Sequence, residues 1–203
     1  LDLKREDFDQ NPEKVITQVT MRSGESATLR PLRAEDSRRL GDYFLSLSQR
    51  TRDVYSPHAF DQETADQLCV ELDSTRNLRM LALVDRDGKA QIAAYFIIKF
   101  YVSEGDAERL LGWGIPVSEH TDVQLAPCVA DDLQDTGLGS LVLAHLVDLL
   151  RRLGIERMIL SGGVRQDNPR AVRFYEKFGF RKVAEYTTTV ANYQMIADLQ
   201  GES

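Results

Sequence analysis

Gln134-Asp135-Thr136-Gly137-Leu138-Gly139-Ser140 decides how this chain is read. An apolar stretch, Val123 to Ala130, runs into two aspartates just before it. Just after it, Leu138, Leu141, Val142, His145, Leu146, Leu149 and Leu153 recur at helical spacing. The pattern predicts a strand, a turn and a long apolar helix, with Gly137 and Gly139 in the first helical turn. Glycine there costs up to about 1 kcal/mol of helix propensity per residue. A ligand that approaches N–H groups lacking a helical partner offsets that cost, and such an end favours anions. Read alone, the turn is equally a tight strand-to-helix connection with no ligand. A dinucleotide fingerprint would need a third glycine at Val142, and no Gly-Lys-Ser/Thr follows to make a P-loop.

A second segment raises the signal. Asn168-Pro169-Arg170-Ala171-Val172-Arg173-Phe174-Tyr175-Glu176-Lys177-Phe178-Gly179-Phe180 reads as a helix with Asn as N-cap, Pro at the first helical position and Gly as its stop. The two segments resemble the GNAT superfamily of acyl-CoA-dependent N-acetyltransferases. Its Q-x-x-G-x-G pattern stands here as Gln134, Gly137 and Gly139, and its N-x-x-A-x-x-F-Y-x-K-x-G-F pattern is filled at every position. The resemblance is firmest over residues 121 to 180 and extends, by strand and helix order, from about residue 26 to the C-terminus. It implies an α/β fold with a mixed, mostly antiparallel central sheet, a splayed strand pair and helices on both faces. It also implies acetyl-CoA as co-substrate and no metal.

Composition sets the outer bounds. A chain of 203 residues without a Pro/Gly/Ser-rich linker is expected to form one domain, 1–203, with 1–25 as an extension or hairpin arm. A net charge of −7 with scattered acids argues against nucleic acid as a partner. Two cysteines, three histidines, no long apolar run and no basic-then-apolar leader argue against disulfides, a metal site and a membrane span, and for a cytoplasmic protein. The expected acceptor is a small-molecule amine or a protein amine, and the expected assembly a monomer or homodimer.

Elsewhere, Val15–Met21 and Ala27–Leu32 predict a hairpin about Ser23-Gly24-Glu25. Helices are expected over Ala34–Ser48 and Gln62–Leu72, joined by a polar loop over Arg50–Phe60. Met80–Val84 and Gln91–Val102 flank Asp87-Gly88, a strong hairpin signal. Residues 103 to 120 read as a long connection carrying Trp113. Strands follow at Arg157–Leu160, Arg181–Tyr186 and Tyr193–Leu199.

The chemistry turns on a few positions. Pro127 has no N–H to donate, so the ladder is expected to break there and open the strand from its neighbour at 157–160. The amide-bearing pantetheine arm of coenzyme A can pair with such an edge as an added strand. The resemblance places those contacts at Pro127, Cys128 and Val129. It places the pyrophosphate on Gln134, Asp135, Thr136, Gly137, Leu138, Gly139 and Ser140, and a further contact at Asn168. Asp131, Asp132 and Asp135 are expected to point outward or cap a helix, with Arg165, Arg170 and Arg173 as charge compensators.

Tyr175 shares a helical face with Ala171, Phe174 and Phe178, which alone marks it as core. Its place in the motif makes it the general acid. For the base, the family's position on the strand after the long helix falls at Gly163, so Asp122 is the candidate, with His120 and His58 as alternatives. Tyr55 and His58, in the loop where family members bind the acceptor, are candidate substrate contacts. Cys128 and Cys69 read as packing residues, His145 as structural. A non-catalytic acyl-CoA sensor is the competing function.

Overall fold

The computed structural model describes residues 3–55 and 57–200. Ser56 of the polar loop and the two extreme ends of the expected domain therefore lie outside the described residues. The chain is a mixed α/β fold with a nine-stranded, mostly antiparallel sheet, and it divides into two compact units. One comprises Leu1–Ile98 and Ala126–Leu149, the other Lys99–Leu125 and Leu150–Ser203.

The first unit opens with a short helix α1 (Asp7–Gln10) and the hairpin β1 (Thr17–Thr20) and β2 (Ser26–Pro31), with Thr17 opposite Leu29 and Thr20 opposite Ser26. Strand β2 pairs antiparallel with β3 (Asn77–Arg86), which turns through Asp87 (φ 55°) and Gly88 (φ 75°) into β4 (Lys89–Lys99). Positive φ at both central residues is what a tight hairpin of matching twist requires. Helices α2 (Ser37–Ser46), α3 (Gln49–Val54) and α4 (Gln62–Val70) follow one another. Leu40, Tyr43 and Phe44 of α2 and Ala65 and Cys69 of α4 share a core with Leu81, Tyr95 and Ile97 of the sheet. Ala126, Cys128 and Ala130 belong to the same core.

Strand β2 is tied to α2 by charge. Asp36, fully buried, accepts from both Arg30 terminal nitrogens at 2.6 and 2.7 Å, from the Arg33 N–H at 3.0 Å and from Arg39. Burial alone would raise the Asp36 pKa, but the Arg30 pair outweighs it and holds the carboxyl below its ordinary range.

In the second unit β5 (Asp122–Val129) contributes its first half, pairing parallel with β6 (Arg157–Leu160) from Asp122–Arg157 to Leu125–Leu160. Strand β9 (Ala191–Asp198) runs antiparallel to β6, to the short β7 (Val164–Arg165) and to β8 (Arg181–Thr187). Helix α5 (Glu104–Gly112) buries Leu110 against Ile159 and Ile196. Helix α6 (Leu138–Arg152) lies in the first unit through Leu149, and α7 (Pro169–Glu176) lies in the second.

Two segments expected as irregular are helical. In α3 only Thr51 is buried, so no apolar period announces it. It begins on a cap instead, with the Thr51 N–H donating to Ser48 Oγ at 3.3 Å. Helix α5 starts after Ser103, whose hydroxyl donates to Asp106 at 3.0 Å. That Ser-x-x-Asp spacing was a legible start signal, masked by Gly105 and a single deeply buried leucine.

Replacing Asp36 by Asn would leave the buried Arg30 guanidinium without its counter-charge, so the unfolding free energy should fall by about 3–5 kcal/mol in urea titration at pH 7. Because the folded pKa of Asp36 is depressed, this stabilisation is present above the unfolded value and lost as pH falls below about 4. The wild-type advantage over Asp36→Asn should therefore shrink with acidification.

Candidate active site

Strand β5 outruns its parallel neighbour. The Ser161 N–H donates to the Leu125 carbonyl at 3.0 Å, and the register ends there. Alternation along a strand puts the backbone groups of Pro127 and Val129 on the same side as the Leu125 carbonyl. The even-numbered residues face the other way, and the Ala130 N–H donates to Ala93 on β4 at 2.8 Å. Pro127 therefore places its missing N–H on the side that has lost its partner strand, and Val129 carries the next N–H along that edge.

The edge is held stiffly from behind. Tyr43 and Tyr55 donate their hydroxyls to the carbonyls of Cys128 and Ala126, each at 3.2 Å. Gln134 turns back onto the Val129 carbonyl at 3.2 Å and reaches Thr51 Oγ1 at 3.4 Å. Its side chain thereby clamps the loop to the strand. Burial pushes the Cys128 thiol up to about 12 and the Cys69 thiol up to about 11, so both stay protonated and pack as apolar groups.

The glycine turn follows a short 3₁₀ segment, Asp131–Leu133. Asp135 (φ 63°) and Gly137 (φ 91°) both adopt left-handed backbone, and α6 begins at Leu138, so Gly137 stands just ahead of the helix rather than inside it. The Thr136 hydroxyl donates to the Leu133 carbonyl at 2.7 Å and lies 3.4 Å from the Leu138 nitrogen. The Ser140 N–H is taken by the Gly137 carbonyl at 3.1 Å. Among the described residues, no intramolecular partner is recorded for the N–H groups of Gly137 and Gly139. These are the orphan donors a helix start offers an anion.

The acids beside the turn have other business. Asp131 accepts from the Ser48 N–H at 2.9 Å, the Ser48 hydroxyl at 2.7 Å and the Thr51 hydroxyl at 2.6 Å, which fastens α3 to the turn. Asp132 pairs with Arg86 at 2.7 Å. A feature invisible in the sequence stands on the other side of the turn. A Cβ built on Gly137 would lie 3.6 Å from Arg22 Nε, so an arginine from the β1–β2 hairpin crosses the bare Cα.

A chain of rings begins and ends on β5. Tyr43 lies 6.3 Å from Tyr95, the Tyr95 hydroxyl is 3.1 Å from His58 Nε2, His58 is 5.3 Å from Phe60, and Phe60 stacks on Tyr55 at 5.8 Å. His58 Nδ1 is 2.7 Å from the Ala59 carbonyl. A carbonyl only accepts, so Nδ1 carries the proton and Nε2 accepts from Tyr95. Burial pushes the Tyr95 hydroxyl up to about 12, which keeps it a donor. Tyr43 and Tyr95 escaped sequence reading because an aromatic residue on an apolar face gives no sign of a second use for its hydroxyl.

In the second unit, Asn168 caps α7 and accepts the Ala171 N–H at 3.2 Å. Tyr175 is buried on that helix, 5.4 Å from the rings of both Phe174 and Phe180. Asp122 is buried and held by Arg157 on both oxygens, at 2.8 Å from Nε, and by the Ser118 N–H at 2.7 Å. Arg165 pairs with Asp167 at 2.6 Å. Gly163 (φ 70°) has no room for a side chain, since a Cβ would meet the Tyr193 carbonyl at 2.6 Å and the Tyr186 hydroxyl at 2.8 Å. His120 is exposed in its turn. His145 Nε2 donates to the Val15 carbonyl at 2.9 Å, a structural contact. Among the described residues no group of three His, Cys, Asp or Glu could hold a metal, and no helix is long and apolar enough to cross a membrane.

Residues 43–180 match the model of the Acetyltransferase (GNAT) family. The chain is 27% identical over 143 residues to Acetyltransferase PA5475 of Pseudomonas aeruginosa, a match covering 66% of this chain and 65% of that protein. The fold is similar to that of the GNAT domain of S. lividans PAT, with TM-score 0.72 at 18% identity over 92% of this chain and 98% of that one. It is also similar to yncA from Salmonella typhimurium, solved with its cofactor acetyl-CoA, with TM-score 0.61 at 15% identity over 87% and 96%.

Gly137→Ala would force a side chain into left-handed backbone and should destabilise the protein by about 1–2 kcal/mol in urea titration. Gly163→Ala carries the same penalty plus displacement of the Tyr193 backbone, so its loss should exceed that of Gly137→Ala. Equal losses would show that the β6–β7 turn yields without strain.

Proposed function

The chain belongs to the Acetyltransferase (GNAT) family, and from that premise we propose that it moves an acetyl group from acetyl-CoA to a primary amine by direct attack in a ternary complex. The observation that carries the reading is the placement, in one compact unit, of the strand segment Pro127–Val129, beyond the end of the β5–β6 register, and a glycine turn with orphan N–H groups. The edge suits the amide-bearing pantetheine arm and the turn suits the diphosphate.

In this reading the neutral amine nitrogen attacks the thioester carbonyl, the C–N bond forms as the C–S bond breaks, the departing thiolate takes a proton, and the nitrogen sheds one through solvent that restores the donor. Tyr175, matched to the family motif, is the proposed donor. A tyrosine at about 10 giving its proton to a thiolate at about 8.5 is uphill by only about 2 kcal/mol. The half-buried rings of Tyr55 and His58 form the wall the acceptor meets.

The amine must arrive neutral. Asp122, engaged by Arg157 and Ser118, serves in our reading to lock β5 to β6, and Gly163 excludes the side chain that would replace it. Without a dedicated carboxylate, acceptor basicity governs the rate. A lysine-like amine loses about 4–5 kcal/mol to protonation at pH 7, an α-amino group only about 1 kcal/mol. The reading therefore favours small-molecule or protein amines of low pKa.

Thiol release across an amine panel tests both statements. The rate should follow the neutral fraction of each amine, rising with pH up to that amine's pKa. Binding of acetyl-CoA with no release for any amine would favour a sensor instead. Tyr175→Phe should lower turnover by at least about tenfold and change coenzyme A affinity by less than about twofold. Unchanged turnover would remove Tyr175 from the chemistry.

A further inference from the structure

We propose that Arg22, at the tip of the β1–β2 hairpin, is a phosphate-binding residue of the cofactor site. The inference rests on the acetyl-CoA reading above and gives the N-terminal arm a role in it. The hairpin tip is fixed by its own hydrogen bonds: the Met21 N–H to the Glu25 carbonyl at 2.8 Å, the Gly24 N–H to the Met21 carbonyl at 2.9 Å and the Glu25 N–H to Ser23 Oγ at 3.3 Å. From this tip the Arg22 side chain lies across the glycine turn, its Nε and Cδ 3.6 and 3.9 Å from where a Gly137 Cβ would stand. Gly137 thus supplies the left-handed backbone of the turn, and the arginine packs over it at ordinary contact distance.

Charge explains why an arginine belongs there. Asp131, Asp132 and Asp135 crowd the turn; Ser48 and Thr51 donate to Asp131, and Arg86 pairs with Asp132. Among the described residues, Arg22 is exposed and engaged by no recorded hydrogen bond or ion pair. An unpaired guanidinium beside the orphan N–H groups of Gly137 and Gly139 completes a set of donors for a phosphate oxygen. Its planar fork matches a phosphate group better than an ammonium would. Coenzyme A carries two such groups, the diphosphate and the ribose 3′-phosphate, and both share the chemistry Arg22 would recognise.

Calorimetric titration of wild type, Arg22→Ala and Arg22→Glu with coenzyme A and with 3′-dephospho-coenzyme A tests the proposal. Arg22→Ala should weaken coenzyme A by about tenfold and Arg22→Glu by more, with melting temperatures unchanged because the side chain is exposed. The salt dependence of binding should flatten in both variants. The same loss with the dephospho form assigns Arg22 to the diphosphate, and a vanished loss assigns it to the 3′-phosphate. If wild type binds coenzyme A and both variants bind within about twofold of it, Arg22 has no such role. If folded wild type binds no coenzyme A, the acetyl-CoA reading itself fails.

Discussion

The ladder between β5 and β6 stops at Leu125, and β5 does not. That mismatch is the constraint on which the rest depends. A strand that continues past its neighbour exposes backbone groups that must find partners or remain a template for something extended. Pro127 removes one donor from that edge and so lowers the number left open. Gln134 takes the Val129 carbonyl, which leaves the Val129 N–H as the chief group on offer.

An edge of this kind is useful only if it is stiff, because ordering a loop at the moment of binding costs affinity. The first unit supplies the stiffness in layers. Tyr43 and Tyr55 grip the opposite side of the strand, and Asp131 fastens α3 to the segment before the glycine turn. The Arg30–Asp36 pair holds α2, and hence Tyr43, against the sheet. The tyrosine contacts and the Arg30–Asp36 pair are buried or half-buried, and the Ser48–Asp131 contact closes the network at the surface. The same apolar surroundings keep the Tyr95 hydroxyl and the Cys128 thiol protonated near neutrality.

Much of this was legible in the residues. The alternation and the Asp-Gly turn of the early strands, the apolar period of α6 and the Asn-Pro start of α7 each follow local rules, and the structure places those elements within a few residues of expectation. The glycine turn was legible because positive φ leaves few alternatives to glycine. What local rules could not show were long-range uses of ordinary residues. Asp122 has the look of an available acid until Arg157 is seen on both its oxygens. Arg22 is one charge in a hairpin tip until its side chain is found across Gly137. Helices α3 and α5 were hidden because they bury too little to show a period, although Ser48 and Ser103 marked their starts.

Backbone amide exchange in the presence and absence of acetyl-CoA tests the central claim most directly. The account predicts that the N–H groups of Val129, Gly137 and Gly139 slow by at least about tenfold on binding, since each passes from an open edge or helix start to a hydrogen bond with the cofactor. Binding of acetyl-CoA that leaves those three amides exchanging at their free rates would contradict it.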